Sequence, residues 1–120
     1  MSNPARSVFA FGVYLIGLGA ILVTTPNTLL ALFGLPNTSE VWIRVVGMLL
    51  LLLAFYYIQT ARKELTDFFR WSVYARSSVI IFFIAFVILG FVSPLLILFG
   101  VVDLLGAIWT GLTLRSSKST

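Results

Sequence analysis

The chain is expected to be all-α: an integral membrane bundle of four helices with both termini on the cytoplasmic side. Three observations predict this. Hydrophobic residues make up 60% of the chain, only 12 of its 120 residues are charged, and the mean hydropathy is +1.09, whereas a soluble domain carries about a quarter charged residues. The apolar residues fall into four stretches, each close to the roughly 20 residues that cross about 30 Å of hydrocarbon at 1.5 Å rise per residue. The bases cluster at the ends of those stretches. Four crossings put Arg6, Arg62, Lys63, Arg70, Arg76, Arg115 and Lys118 on one side and leave only Arg44 on the other, a strong positive-inside bias that places both termini and the 62–76 segment in the cytoplasm.

The first span covers about 7–25 and stops at Pro26. Its long apolar run leads into Thr24-Thr25-Pro26-Asn27 with no small-x-small cleavage pattern, so it is read as a retained span and not a signal peptide. Pro26 is suited to start a helix and Gly34 to end one, so residues 28–33 form a short interfacial helix or a kinked continuation of span one. Gly34 to Glu40 is then a turn, with Thr38 or Ser39 as N-cap of the second span and Glu40 near its positive end. The second span covers about 41–61. Arg62, Lys63, Glu64, Asp67 and Arg70, interleaved with Phe68, Phe69 and Trp71, describe an interfacial segment. The third span covers about 71–92, and Gly90 to Pro94 makes a tight hairpin into the fourth, about 95–114. Residues 116–120 are read as a polar, disordered tail, and residues 1–120 as one membrane domain.

Composition excludes much chemistry. The chain has no His and no Cys, so thiol nucleophiles, imidazole bases and His/Cys metal sites are absent. Lys63 and Lys118 lie in cytoplasmic segments, and Glu40, Glu64 and Asp67 lie at the surfaces, so paired carboxylates and a buried Lys are also missing. Gly17-Leu18-Gly19 follows no strand and implies no phosphate cradle. No enzyme activity, cofactor or metal is expected. The net charge of +4 is assigned to orientation and anionic headgroups, not to nucleic acid.

Asp103 is the main anomaly, about eight residues into the fourth span and so roughly 12 Å from its outer end. A carboxylate at that depth costs on the order of 2.5–3.5 kcal/mol on insertion scales. It shares a helix side with Gly100, Gly106, Ala107 and Thr110, a small face that admits another helix, so it should point into the bundle. Arg44 lies early in span two, at a depth about 7 Å from that of Asp103. It either snorkels to the outer surface or pairs with Asp103, with Gly47 permitting the approach. Arg76 is expected to snorkel to the cytoplasmic surface in preference to pairing with Asp103, with Ser77 and Ser78 as helix–helix contacts. Tyr56, Tyr57, Gln59 and Trp71 read first as an interfacial aromatic belt and second as a ligand site. Tyr14 is a polar point in span one, and Gly12, Gly17 and Gly19 read as packing glycines.

Gly12-x-Tyr14-Leu15-x-x-x-Gly19, Pro26, Leu32-Phe33-Gly34, Trp42-Ile43-Arg44-Val45-Val46-Gly47 and Val102-Asp103-Leu104-Leu105-Gly106-Ala107-x-Trp109-Thr110 resemble motifs of small bacterial four-helix membrane proteins of uncharacterised function. More loosely, the chain looks like the DoxX-like four-helix class. The resemblance implies architecture only: four spans, an Arg early in the second, an Asp inside the fourth. The chain differs from the small multidrug carriers, since its first span holds no acid. The expected function is structural or binding: holding a lipid-like molecule, or serving as a small subunit of a membrane assembly or homo-oligomer in a bacterial-type plasma membrane. The alternative is a proton-coupled carrier or channel subunit using Asp103, and a lipid-modifying enzyme ranks last.

Overall fold

The computed structural model describes residues 1–32, 34–90 and 97–118, and every regular element among them is helical. Helix α1 spans Asn3–Thr24, α2 Pro26–Leu32, α3 Trp42–Arg62, α4 Thr66–Ile88 and α5 Ile97–Lys118. Four of these, all but α2, are long and apolar enough to cross a membrane.

The element boundaries follow from local chemistry. Ser2 caps α1, its hydroxyl accepting from the Ala5 amide at 3.2 Å, and Pro4 sits in the first turn, where no amide partner is needed. The helix therefore begins four residues earlier than the apolar run suggested. Pro26 opens α2, and Gly34, with φ +67°, follows its end, the Leu35 amide reaching back to the Leu30 carbonyl at 2.9 Å. Neither Thr38 nor Ser39 caps α3. Thr38 instead ties the turn down, taking the Glu40 amide on its hydroxyl and giving its own amide to Asn27 Oδ1. Val41 precedes α3 with no side-chain cap, because Ser39 and Thr38 lie two and three residues upstream of the cap position, too far to reach the first amides. The interfacial segment is helical from Thr66, so α4 starts five residues before the expected span and ends earlier, at Ile88. Gly90, with φ +79°, follows its end. The expected hairpin at Ser93-Pro94 lies outside the described residues. Helix α5 continues through 116–118, into the segment read as a tail, since no Gly or Pro interrupts it and Arg115 suits the negative helix end.

Helix α1 is the centre of the bundle. Its buried residues Ala5, Val8, Phe11, Leu15, Gly19 and Leu22 recur at the three- and four-residue spacing of one helix face. That face packs mainly on α3 and secondarily on α5, while α4 packs on α5. Helices α3 and α4 are consecutive yet pack only sparsely on each other beyond their joint. The result is a thin assembly, 49 × 29 × 18 Å, splayed between α3 and α4. The buried core lies toward the end carrying the N-terminus, where Tyr57, Ala61, Phe69 and Leu114 meet α1. Leu49, Leu52, Phe55, Ile81, Phe82, Leu105 and Leu112 face outward.

Two features hold α1 to α3. At their crossing, a Cβ added to Gly19 would lie 2.8 Å from the Gly47 carbonyl oxygen, and one added to Gly47 would lie 2.8 Å from that of Gly19, so the backbones touch and only glycine fits. Gly17, read as a packing glycine, faces open space. At the α3–α4 turn, Glu64 adopts φ +55°, a left-handed conformation that costs an L-residue on the order of 1–2 kcal/mol. It closes a Schellman turn: the Leu65 amide reaches the Thr60 carbonyl at 3.0 Å and the Glu64 amide reaches that of Ala61 at 3.2 Å. The Glu64 carboxylate accepts from the Ser2 hydroxyl at 2.6 Å and the Ser2 amide at 2.5 Å, which fastens the start of α1 to the turn.

Gly47→Ala should lower stability by roughly 1–3 kcal/mol, because a backbone must move. Gly17→Ala should be neutral or slightly stabilising, and thermal unfolding in a mild detergent compares the two. The Ser2 hydrogen bonds hold the Glu64 carboxyl below the usual carboxylate range. Its contribution is therefore present above the ordinary Glu pKa of about 4.3 and is lost as pH falls through the lowered value. The melting-temperature difference between wild type and Glu64→Gln should be constant near neutral pH and close as the pH drops below about 4.

Candidate functional site

The polar centre of the bundle is Arg76, not Arg44. Arg76 lies on α4 and is only 3% exposed. Its Nε donates to the Ser72 carbonyl at 3.2 Å, one turn back, and Nη2 donates to Ser72 Oγ at 3.0 Å and to Thr110 Oγ1 at 2.8 Å. Thr110 Oγ1 is in turn 2.7 Å from Ser7 Oγ, whose proton goes to the Pro4 carbonyl at 2.7 Å. Counting protons fixes the directions. Arginine only donates, so Thr110 accepts from Arg76 and uses its own proton on Ser7. One relay thus runs from α4 through α5 to α1. The guanidinium also lies over the Phe11 ring at 4.8 Å and near the Tyr57 ring at 5.7 Å, contacts worth about 2 kcal/mol or more when desolvated.

Arg76 was expected to snorkel, and it does not. Ser72 one turn earlier, Thr110 on α5 and two aromatic rings offer enough donors' partners and π surface to keep the charge inside. Ser78 bonds to the Ala75 carbonyl of its own helix, and the hydrogen bond from α4 to α5 comes from Arg76 to Thr110. Tyr57, read first as an interfacial aromatic, is buried between Phe11 and Phe68, with ring centroids 5.6 and 5.2 Å away. Tyr56, Trp71 and Tyr74 do face outward.

Arg44 and Asp103 are not brought together. Arg44 Nη1 donates to the Val23 carbonyl and, at 3.4 Å, to that of Thr24. These belong to the last turn of α1, which has no basic residue of its own. Exposed carbonyls at a helix C-terminus attract a cation, and here they take up the Arg44 guanidinium. Arg44 therefore clasps the N-terminal end of α3 to the C-terminal end of α1.

Asp103 is half-buried on α5 and receives no hydrogen bond among the described residues. The helix face predicted around it is present: Ala107 and Thr110 are fully buried, and Gly100 packs on Ile80 with only 3.0 Å between an added Cβ and the Ile80 Cα. Asp103 sits where two cavities meet. One, of about 250 Å³, extends toward α2 and is lined by Leu22, Leu29, Leu30, Leu35, Ile43 and Tyr14. The other, of about 400 Å³, lies in the splay between α3 and α4, lined by Leu53, Tyr57, Val79, Phe82 and Phe86, with Arg76 at its base. Leu15, Leu50, Phe83 and Asp103 line both. The walls are otherwise hydrocarbon and aromatic.

Among the described residues, one buried side-chain polar atom has no hydrogen-bond partner: Arg76 Nη1. It faces Gly106, where an added Cβ would come within 3.2 Å of it. No group of three or more metal-ligating side chains exists among the described residues. The arrangement can hold a molecule that is apolar along most of its length and polar at one point. Ser7 and Ser72, missed from the sequence, had a signal: each is a small hydroxyl inside an apolar run, and Ser72 is one turn from Arg76.

No protein-family model, curated protein or solved structure matches the chain.

Thr110→Val keeps the shape and removes the hydroxyl that serves both Arg76 and Ser7. It should cost roughly 1–3 kcal/mol, the range for stranding a buried polar group, read by thermal unfolding in detergent. Thr113→Val, which removes only a bond to the carbonyl of residue 110 on the same helix, should cost markedly less.

Proposed function

We propose that the chain is an integral membrane protein that binds a lipid-like molecule in the splay between α3 and α4, and is not an enzyme. The observation that carries this is the pair of apolar cavities meeting at Asp103, with Arg76 at the base of the larger one. Helices apolar on every side are at home in hydrocarbon, which supports insertion. In that setting the splay opens to lipid, so an alkyl chain enters sideways without crossing a polar surface. The seven-to-one distribution of bases supports both termini facing the cytoplasm of a bacterial-type plasma membrane. Four-span proteins of this kind also assemble through small-residue faces, which keeps a role as a homo-oligomer or as a subunit of a larger complex within the proposal.

Asp103, with no hydrogen-bond partner among the described residues, favours a second function, a proton-coupled carrier or channel subunit. An intramembrane acid is a functional candidate by default. The two proposals separate in liposomes, where only the carrier shows proton flux in the wild type and loses it in Asp103→Asn.

Leu50 lines both cavities, so Leu50→Trp should fill them. In native mass spectrometry, wild type released from micelles should carry apolar adducts, and Leu50→Trp should lose them at least fivefold. Leu112→Trp, on an outward face away from both cavities, should retain them. Equal retention by both variants would overturn the binding proposal.

A further inference from the structure

We infer that a recess between α4 and α5, at the end of the bundle that carries the N-terminus, binds the head of an anionic phospholipid, its phosphodiester held between Arg70 and Arg115; this rests on the membrane insertion proposed above and not on occupancy of the cleft. The recess holds about 210 Å³. Each helix gives it one guanidinium. Arg70 lies about one turn inside the start of α4 at Thr66, and Arg115 about one turn before the end of α5 at Lys118. One turn deeper lie Val73 and Gly111, and the buried Leu114 adjoins Arg115. Elsewhere the seam between α4 and α5 is tight: Gly100 packs on Ile80, and Arg76 bonds to Thr110. At Gly111 it opens, since an added Cβ would meet only Val73 Cγ1, at 3.8 Å. Two charges thus stand at the mouth with apolar wall behind them, the same order as the head and chains of a phospholipid.

Charge selects the head. The recess is lined by two bases and no acid. Arginine presents five N–H donors in a fixed fork that suits phosphate oxygens. Arg70 spends one of them on Asp67, at 3.3 Å, in a pair whose side chains are 46% and 75% exposed, and such a pair holds little against a competing anion. Arg115 makes no hydrogen bond among the described residues. Glu64, the other acid near Arg70, lines an adjoining recess and has both carboxylate oxygens on Ser2. The exposed Tyr74 adds a phenol to the lining, as is usual at headgroup level. A phosphatidylglycerol head brings one negative charge to two guanidiniums. A phosphatidylcholine head brings the same phosphate with a quaternary ammonium that both arginines repel. A free phosphate has no chain to lay against Val73 and Leu114. The side of the membrane agrees: the distribution of bases turns this end toward the cytoplasmic leaflet, whose surface is anionic and where basic pockets between helices take up lipid heads.

Thermal unfolding of the full chain in a neutral detergent tests this, with phosphatidylglycerol or phosphatidylcholine of identical acyl chains at equal mole fraction in the micelle. The quantity read is the difference between the two melting-temperature shifts, which cancels what the chains alone contribute, in the cleft or elsewhere. In wild type phosphatidylglycerol should lead by several degrees. Arg70→Gln with Arg115→Gln should remove at least two-thirds of that lead. Gly111→Leu, which keeps every charge and fills the recess, should remove at least half. Arg62→Gln with Lys63→Gln, an equal loss of charge at the same end but outside the recess, should keep the lead, and so should Leu50→Trp. Equal shifts from the two lipids in wild type would overturn the inference, as would a loss in the Arg62 and Lys63 variant matching that in the Arg70 and Arg115 variant, or full retention in Gly111→Leu. A loss in Leu50→Trp alone would move the lipid to the cleft, overturning the recess while the binding function stands. A shift from inorganic phosphate, at constant ionic strength, as large as that from phosphatidylglycerol would make this a site for a free anion and overturn the lipid. Failure of the wild-type chain to float with phosphatidylcholine liposomes would remove membrane insertion and this inference together.

Discussion

The structure depends on the burial of one guanidinium. In a chain with so few charges, Arg76 is held away from solvent at the meeting of α1, α4 and α5, and each neighbour answers a need of that group. Ser72 and Thr110 accept its hydrogen bonds, Phe11 and Tyr57 supply π faces, and Gly106 gives it room. A buried charge stripped of partners costs several kcal/mol, so these residues are coupled: α5 cannot slide along α4 without separating Thr110 from Arg76, and α1 cannot rotate without separating Ser7 from Thr110. The polar relay sets register in a bundle whose apolar faces, Leu against Leu and Phe against Val, would tolerate several.

Tight contact and open space are distributed unequally around α1. Toward α3 the backbones touch at Gly19 and Gly47, Arg44 clasps the start of α3 to the end of α1, and Ser2 with Glu64 ties the opposite end. Between α3 and α4 the packing is sparse apart from Tyr57 against Phe68 and Arg76, although a short turn joins them. The turn explains how both can be true: Glu64 in its left-handed conformation ends α3 sharply, and its carboxylate is spent on Ser2 and not on α4. The two helices leave the joint along separate partners, α3 on α1 and α4 on α5. The cleft is thus a consequence of which pairs are fastened, and it falls where Arg76 and Asp103 face inward.

Much of this architecture was legible in the sequence. Hydropathy located the four long helices, Pro26 and Gly34 bounded the short one, and the Gly100, Gly106, Ala107, Thr110 face correctly directed Asp103 inward. The arginines were not legible. Depth along a helix says how far a side chain is from an end, but not whether inward partners compete with the surface, and those partners come from other helices. Arg76 had Thr110, Phe11 and Tyr57 waiting at its level, while Arg44 had the bare carbonyls of Val23 and Thr24, which no side-chain pattern announces. Tyr57 was misjudged for the same reason: its distance from the span end suits a belt residue, and only the packing of α1 against α3 shows that it faces the core.

The separation of Arg76 from Asp103 is built into the packing. A closed ion pair would satisfy both groups and leave a cavity without polar preference, since each would be saturated by the other. Here Arg76 is held back by Ser72 and Thr110 on one side and by two aromatic rings on the other, so it cannot swing across to the acid without giving up those contacts. Asp103, one turn along α5 from Gly106, receives no hydrogen bond among the described residues. The same hydrogen bonds that fix the register of the bundle therefore keep its two inner charges apart. The two inner charges are thus positioned by the register of the helices and not by each other, in surroundings otherwise made of Leu and Phe side chains.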